Sequence, residues 1–417
     1  MLGVPSKLPT DTVPSSEHSH GLAVAGAGEM LALVREGRAT TRAELVEETG
    51  LARSTVAQRV DALVQTRHLR AEQLASSSGG RPPTVLALNE RLGHVLAVDL
   101  GATAAHLALC DLGAEILAEQ THPLEVERGP EEVLGWLVER FGELCLQAGC
   151  GEAELLAVGL GIPAPVDFAA GRAISPPIMP GWSDFPVADW LRERLEVPVL
   201  VDNDANVMAL GEYRLNWAEE RDLLFVKVAT GIGCGIIAAG EVYRGAEGAA
   251  GDIGHVRCHA AGERICGCGQ RGCLEALAGG RALAAELSAV GVHADSAREV
   301  AAALLAAEPR AVALARDAGR EIGEVLASIV NFFNPSTIVV GGTIADASED
   351  LLAGVREAVY RRSLPLATRR LEISRSFGAE RAGVIGAAVM AIDRYLRPEA
   401  VDARLELALR KGAGSLE

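Results

Sequence analysis

From Glu29 onward, apolar residues recur at helical spacing, beginning with Met30, Leu31 and Val34. Thr41-Arg-Ala-Glu44 has the form of a capping box: the Thr hydroxyl can accept from the Glu44 amide, and the Glu carboxylate can reach back to Thr41. Leu45 and Val46 follow. Gly50 can end that helix in the left-handed conformation. A second helix is predicted from about Ser54 to Thr66, with Val56, Val60 and Leu63 on one face. Arg53, Ser54, Thr55, Gln58 and Arg59 fall on the other. The run Ser-Ser-Ser-Gly-Gly-Arg-Pro-Pro at 76–83 cannot continue a helix and reads as a loop between short strands, the second being Thr84-Val-Leu-Ala-Leu.

After Glu90 the pattern becomes α/β. His94-Val-Leu-Ala-Val-Asp99 reads as a buried strand, turned by Leu-Gly-Ala-Thr into a second strand from Ala105 to Cys110. The stretch from Leu223 to Ile237 repeats the same strand, glycine turn, strand design. Two such hairpins so far apart suggest two related halves rather than a short-period repeat. Ala-rich helices fill 281–330, and Ile338-Val-Val-Gly-Gly342 is one more strand entering a glycine turn. Residues 1–27, rich in Ser, Pro, His and Gly, lack core periodicity and are expected to be a disordered leader. The tail, 398–417, reads as helical with no assigned role.

The length, 417 residues, suggests two or three domains. Hydrophobic residues at 49% and charged residues at 23% allow sizeable cores. No apolar run is long enough to span a bilayer; the closest, Leu223–Gly240, contains Lys227 and four glycines. With no continuous apolar stretch near the start, secretion is not expected and a cytoplasmic location is. Thiols there stay reduced, so the eight cysteines need a reading other than disulfides. The formal charge of −17 argues against a polybasic scaffold. Residues 51–81 go the other way: Arg53, Arg59, Arg67, Arg70 and Arg81 stand against Asp61 and Glu72, a net of +3.

A helix, a glycine turn, a helix with exposed donors and a Gly-Arg-Pro wing are what a winged helix-turn-helix requires. The second helix must fit the major groove and show donors to base edges, with positive charge near the phosphates. A helical protein–protein module with a solvated polar face would look similar. Ala52 stands where a Ser or Asp cap would be expected before the second helix.

His255, Cys266, Cys268 and Cys273 make a Cys₃His set, and the glycines at 267, 269 and 272 let the chain wrap an ion. All four tetrahedral positions are filled, so the expected zinc is structural. Cys258 is a competing ligand. Asp99-Leu-Gly101-Ala-Thr103 and Thr230-Gly231-Ile-Gly233 are tight turns whose amides can cradle phosphates, and Asp99 can hold magnesium. The strand Pro198-Val-Leu-Val delivers Asn203 and Asp204 to its end, where ligands bind in α/β sheets. Capping the following helix is the plainer role for Asp204.

Together these residues resemble the ROK family (repressors, open reading frames, kinases). The matching motifs are Asp99–Thr103, Gly161-Ile-Pro-Ala-Pro-Val166, Asn203-Asp204-Ala-Asn, Thr230–Gly233, and Gly251-Asp-Ile-Gly-His255 continuing to Cys273-Leu-Glu275. The resemblance covers about 90–397. It implies an actin-like, sugar-kinase (ribonuclease H-like) fold with a sugar pocket between two lobes. The implied lobes are 89–207, completed by about 385–397, and 208–384, behind a winged helix at 28–88. Asn203, Asp204, His255 and Glu275 match the family's sugar-binding positions, and Asp204 matches the kinase general base. Asp252 stands where the kinases carry Glu, which shortens that sugar contact. Ala102 and Ala229 replace glycines beside the phosphates. The implied function is a sugar-responsive DNA-binding repressor of carbohydrate genes. It would act as a homodimer or homotetramer on double-stranded operator DNA, with a sugar or sugar phosphate as effector and no membrane partner. The alternative is an ATP- and magnesium-dependent sugar kinase, or a protein that is both.

Overall fold

The computed structural model describes residues 25–73 and 84–413; most of the expected leader and the wing loop carrying Arg81 lie outside them. The chain forms two compact units. One holds the described residues up to Leu92 together with those from Asp393 onward, and the other is Gly93–Ile392.

In the first unit, helix α1 (Ala27–Arg35) buries Met30, Leu31 and Val34. It begins inside the expected leader because its cap comes from far along the chain. Asp402 accepts from the Gly26 and Gly28 amides at 2.6 and 2.7 Å, satisfying first-turn donors that Gly26 cannot. Asp402 lies on the helix Pro398–Ala413, so the tail left without a role is part of this unit. A Cβ at Gly28 would collide with the Pro398 carbonyl, and Arg35 pairs with Asp393 at 2.5 Å. Helix α2 (Arg42–Thr49) closes both halves of its capping box: the Glu44 amide donates to Thr41 Oγ1 at 3.2 Å, and the Thr41 amide to Glu44 Oε2 at 3.1 Å. Gly50 ends it at φ +66°. Helix α3 (Arg53–Gln65) buries Val56, Val60 and Leu63. Strands β1 (Leu69–Gln73) and β2 (Thr84–Leu88) pair antiparallel, Leu69 opposite Leu88.

The second unit contains two five-stranded sheets of one design. The first uses β3 (His94–Leu100), β4 (Ala104–Asp111), β5 (Ile116–Pro123), β6 (Leu155–Ile162) and β7 (Val199–Asn203), ordered β5-β4-β3-β6-β7. The second uses β8 (Leu223–Val228), β9 (Ile232–Ala238), β10 (Glu241–Val242), β11 (Thr337–Gly341) and β12 (Glu372–Arg375), ordered β10-β9-β8-β11-β12. In each sheet the first three strands pair antiparallel and the last two join parallel. The central parallel strands β6 and β11 are nearly all apolar, as burial on both faces demands. Each sheet has its own core. One gathers Leu96, Leu107, Phe141 and Trp182; the other gathers Leu224, Ile322, Ile338 and Leu351. The glycines of β9 serve close packing: a Cβ at Gly235 would collide with the Ala205 carbonyl.

Candidate functional site

On α3, Arg53, Ser54 and Gln58 are exposed and Thr55 is half-buried. Arg59 is also half-buried, with its guanidinium lying beside Gly26. The open polar face is therefore narrower than periodicity suggests, because Arg59 is drawn against the start of α1. Ala52 makes no side-chain cap bond. The neighbouring Asp61 is paired with Arg42 at 2.5 Å, which offsets its negative charge on the helix.

In the second unit, β7 ends in Asn203 and runs directly into the helix Asp204–Asn216. The capping role belongs to Asn203, not Asp204. Asn203 Oδ1 accepts from the Ala205 amide at 3.0 Å, and its Nδ2 donates to the Ala164 carbonyl at 2.9 Å. Asp204, the first helical residue, is only 5% exposed, and its carboxylate is ion-paired with Lys227 on β8. Asp202 is buried as well. It accepts from Arg244 Nε at 2.7 Å, from Asn206 Nδ2 at 3.0 Å and from the Asn203 amide at 2.7 Å. Arg244 in turn stacks on Phe168, 3.8 Å from the ring centroid. Residues 202–204 thus divide one short acidic run into a structural anchor, a cap and a buried, ion-paired carboxylate.

Asp99, at the end of β3, has Oδ1 buried without a hydrogen-bond partner. Burial pushes its carboxyl up to about 6; the Lys227 charge opposes that shift and the Asp204 charge adds to it. For Lys227, burial works against the ammonium, but Asp204 and Asp99 outweigh burial and hold it above the ordinary lysine range. One cation therefore acts on two carboxylates, Asp99 on β3 and Asp204 at the start of the helix Asp204–Asn216. The only hint of Lys227 in the sequence is a single charge in the apolar strand Leu223–Val228.

Because the folded-state pKa of Asp99 lies above its ordinary value, its protonated form is favoured on folding. That contribution is present at low pH and is lost as pH rises through about 6. Two pK units correspond to at most about 3 kcal/mol. Asp99→Asn should therefore gain stability relative to wild type between pH 4 and pH 8, measured by urea unfolding. A difference between the two proteins that does not change with pH would refute this.

The two glycine turns offer fewer amides than expected. The Gly101 amide closes its hairpin on the Ala104 carbonyl at 2.7 Å, as a tight antiparallel turn requires. Gly101 itself is half-buried, and Thr103 is exposed. In the second turn, Thr230, Gly231 and Gly233 are half-buried. The Ile232 amide between those glycines donates to Glu275 Oε2 at 3.0 Å. A Cβ at Gly231 would collide with that same oxygen, so the Glu275 carboxylate lies on the turn where an anionic phosphate was expected.

The four zinc-type ligands converge. One donor atom from each of His255, Cys266, Cys268 and Cys273 lies within 4.8 Å of the others. His255 Nδ1 is 3.5 Å from Cys266 Sγ, and Cys268 Sγ is 3.8 Å from Cys273 Sγ. A tetrahedral ion with Zn–S bonds of about 2.3 Å has ligand–ligand edges of about 3.8 Å, so the set fits. Cys258 is not in it; its amide instead donates to the Gly272 carbonyl at 2.9 Å. His255 Nε2 is 3.9 Å from Asp252 Oδ1, beyond hydrogen-bond range, and Asp252 is exposed. Cys266 Sγ lies 3.8 Å from Glu275 Oε1, so the loop and Glu275 are in direct contact.

A helix-turn-helix with a paired two-stranded β element, in one chain with a duplicated two-sheet α/β domain, defines the class of protein. The chain belongs to the ROK family, whose model matches residues 95–394. It is similar to the xylose repressor of Caldicellulosiruptor bescii, 26% identical over 381 residues, which make up 88% of this chain and 95% of the relative. It is also similar to the glucokinase of Thermotoga maritima, 30% identical over 316 residues, 72% of this chain and 98% of the kinase. The crystal structure of a ROK family transcriptional regulator, a homolog of the E. coli MLC protein, has the same fold. Its TM-score is 0.78 at 24% identity, covering 93% of this chain and 99% of that one.

Proposed function

We propose that this protein is a sugar-responsive, DNA-binding transcriptional repressor. The observation that carries the reading is the helix, Gly50 turn, helix unit with its paired β1 and β2 strands ahead of the ROK domain. A dedicated sugar kinase has no use for it. The extent of the matches supports this: the repressor aligns over 88% of the chain, whereas the kinase aligns over 72%, the share that the ROK segment itself makes up. Arg53, Ser54, Thr55 and Gln58 would face the bases, with Arg81 on the wing. Arg59 would support them from its seat against α1. Recognition of two half-sites about one DNA turn apart calls for a homodimer or a homotetramer.

The effector is a sugar or sugar phosphate held by Asn203, Asp204, Asp252, His255 and Glu275, whose carboxylates and ring nitrogen suit hydroxyl groups. A structural zinc on His255, Cys266, Cys268 and Cys273 would hold Glu275 in place and supply no chemistry of its own. Sugar and DNA would then be reciprocally coupled. No helix among the described residues is long and apolar enough to cross a membrane, and operator binding implies the cytoplasm.

The kinase alternative rests on Asp99, Thr103 and Asp204, which remain in place. Three features weigh against it. Proton transfer to Asp204 would break its pairing with Lys227. Glu275 occupies the Ile232 amide beside Thr230, Gly231 and Gly233. Ala102 and Ala229 add methyls where ATP should approach.

The test has two arms. Arg53→Ala with Gln58→Ala should lose about 1–3 kcal/mol per base contact on the chain's own upstream DNA while leaving sugar binding intact, read by fluorescence anisotropy at physiological salt. Unchanged affinity would sink the DNA-binding reading. In the second arm, monosaccharides and their phosphates are screened by thermal shift with and without ATP and magnesium, followed by an ADP-release assay. Robust turnover abolished by Asp204→Asn would replace the repressor-only reading with a bifunctional protein or a kinase.

A further inference from the structure

His94, Cys145 and Cys150 form a second cluster of soft ligands, remote in sequence from the zinc-type loop. His94 opens β3, Cys145 sits in the last turn of the helix Pro130–Ala148, and Cys150 follows the Gly149 cap at φ +69°. One donor atom from each lies within 4.8 Å of the other two. His94 and Cys145 are each only 2% exposed, while Cys150 is half-buried.

A well-satisfied apolar core would leave two features of this place unexplained. His94 Nε2 is buried with no hydrogen-bond partner, and a buried polar group left unmatched is destabilising. The ladder between β3 and β6 also shifts register between His94 and Val95. Irregularities of this kind re-aim a side chain. The Cys150 thiol has only a long contact, 3.9 Å, to the Cys145 carbonyl. A strand start, a helix end and the loop beyond it thus bring an imidazole and two sulfurs together around a buried, unmatched nitrogen.

We propose that His94, Cys145 and Cys150 bind a second zinc ion. Two thiolates and an imidazole are zinc's preferred protein ligands, and binding releases the two thiol protons to solvent. The fourth position is left to water or to a carboxylate. Glu152 and Glu154 lie two and four residues beyond Cys150, and the charge of each acts on Cys145. The ion would fasten the start of β3, the strand that carries Asp99 at its other end, to the helix Pro130–Ala148.

The test is metal analysis of the full-length protein purified without added metal. Wild type should carry about two zinc ions per chain, and Cys150→Ser, changed at the half-buried ligand, about one. Cys150→His, which keeps a ligand, should restore the second ion. Cys268→Ser separates this site from the loop: it should remove one ion and leave the Cys150-dependent one. If the loop holds no zinc, wild type should carry one ion that Cys150→Ser removes and Cys268→Ser does not. Cobalt(II) reconstitution should show thiolate-to-metal absorption that falls in Cys150→Ser. Equal zinc and equal cobalt absorption in wild type and Cys150→Ser would overturn the proposal. So would a mass two hydrogens lighter, tracing to a Cys145–Cys150 disulfide in the freshly purified protein.

Discussion

Replacing Lys227 with Met should destabilise the ROK domain by about 3–5 kcal/mol, the range found when one partner of a buried ion pair is removed. The Lys227 and Asp204 side chains are 16% and 7% exposed, so little water would take over the missing charge. Met keeps the length and apolar stem of Lys, which confines the change to the ammonium. With it gone, Asp204 and Asp99 face each other's charge without compensation, and protonating one of them becomes the cheapest relief. The loss should therefore be larger at pH 8 than at pH 5. Asp204→Asn in the Lys227→Met background should recover much of it, because a neutral amide needs no cation. Urea unfolding of wild type, both single variants and the double variant at the two pH values measures the coupling. Strict additivity would mean that Lys227 acts by packing alone.

Cys268→Ser should have the second large effect, on the loop from His255 to Cys273. Apart from an ion, that loop is held by turn hydrogen bonds, such as the Cys266 amide to the Gln270 carbonyl at 2.8 Å and the Gly272 amide to the Arg264 carbonyl at 2.9 Å, rather than by a helix or a continuous sheet. Its backbone bridges, Arg257 with Cys273 and Ile265 with Arg271, are isolated. Gly262, Gly269 and Gly272 take positive φ values of +54°, +87° and +78°, turn conformations that favour glycine. Serine is a poor zinc ligand, so the variant should lose one zinc ion per chain. Glu275 lies two residues beyond Cys273 and touches Cys266. Once the loop loosens, Glu275 should leave the Ile232 amide and sugar affinity should fall tenfold or more, about 1.4 kcal/mol. DNA binding without sugar should persist, since the winged helix belongs to the other unit. Metal analysis together with calorimetric titration of the sugar found in the thermal screen decides it. Full sugar affinity in a variant shown to lack the ion would separate the loop from the pocket.

Much of this architecture is legible along the chain because its causes are local. The Thr41–Glu44 capping box, the Gly50 stop and the apolar stripe of α3 each act over a few residues, and each stands where its pattern places it. The repeated strand, glycine turn, strand design becomes two sheets of identical strand order. The ligands from His255 to Cys273 converge because they lie close together in the chain, the three cysteines within one glycine-rich turn. Tertiary structure alone decides the rest. It assigns Asp204 to Lys227, leaves the cap to Asn203, sets Glu275 on the second turn and draws Arg59 back against Gly26. It lets Asp402, more than 370 residues away in sequence, cap the first helix, and it gathers His94 with Cys145 and Cys150. These are pairings of charge and hydrogen-bond donors between segments that no periodicity links. A charge or a donor in a sequence announces a need for a partner, and only the packed chain determines which partner lies within reach.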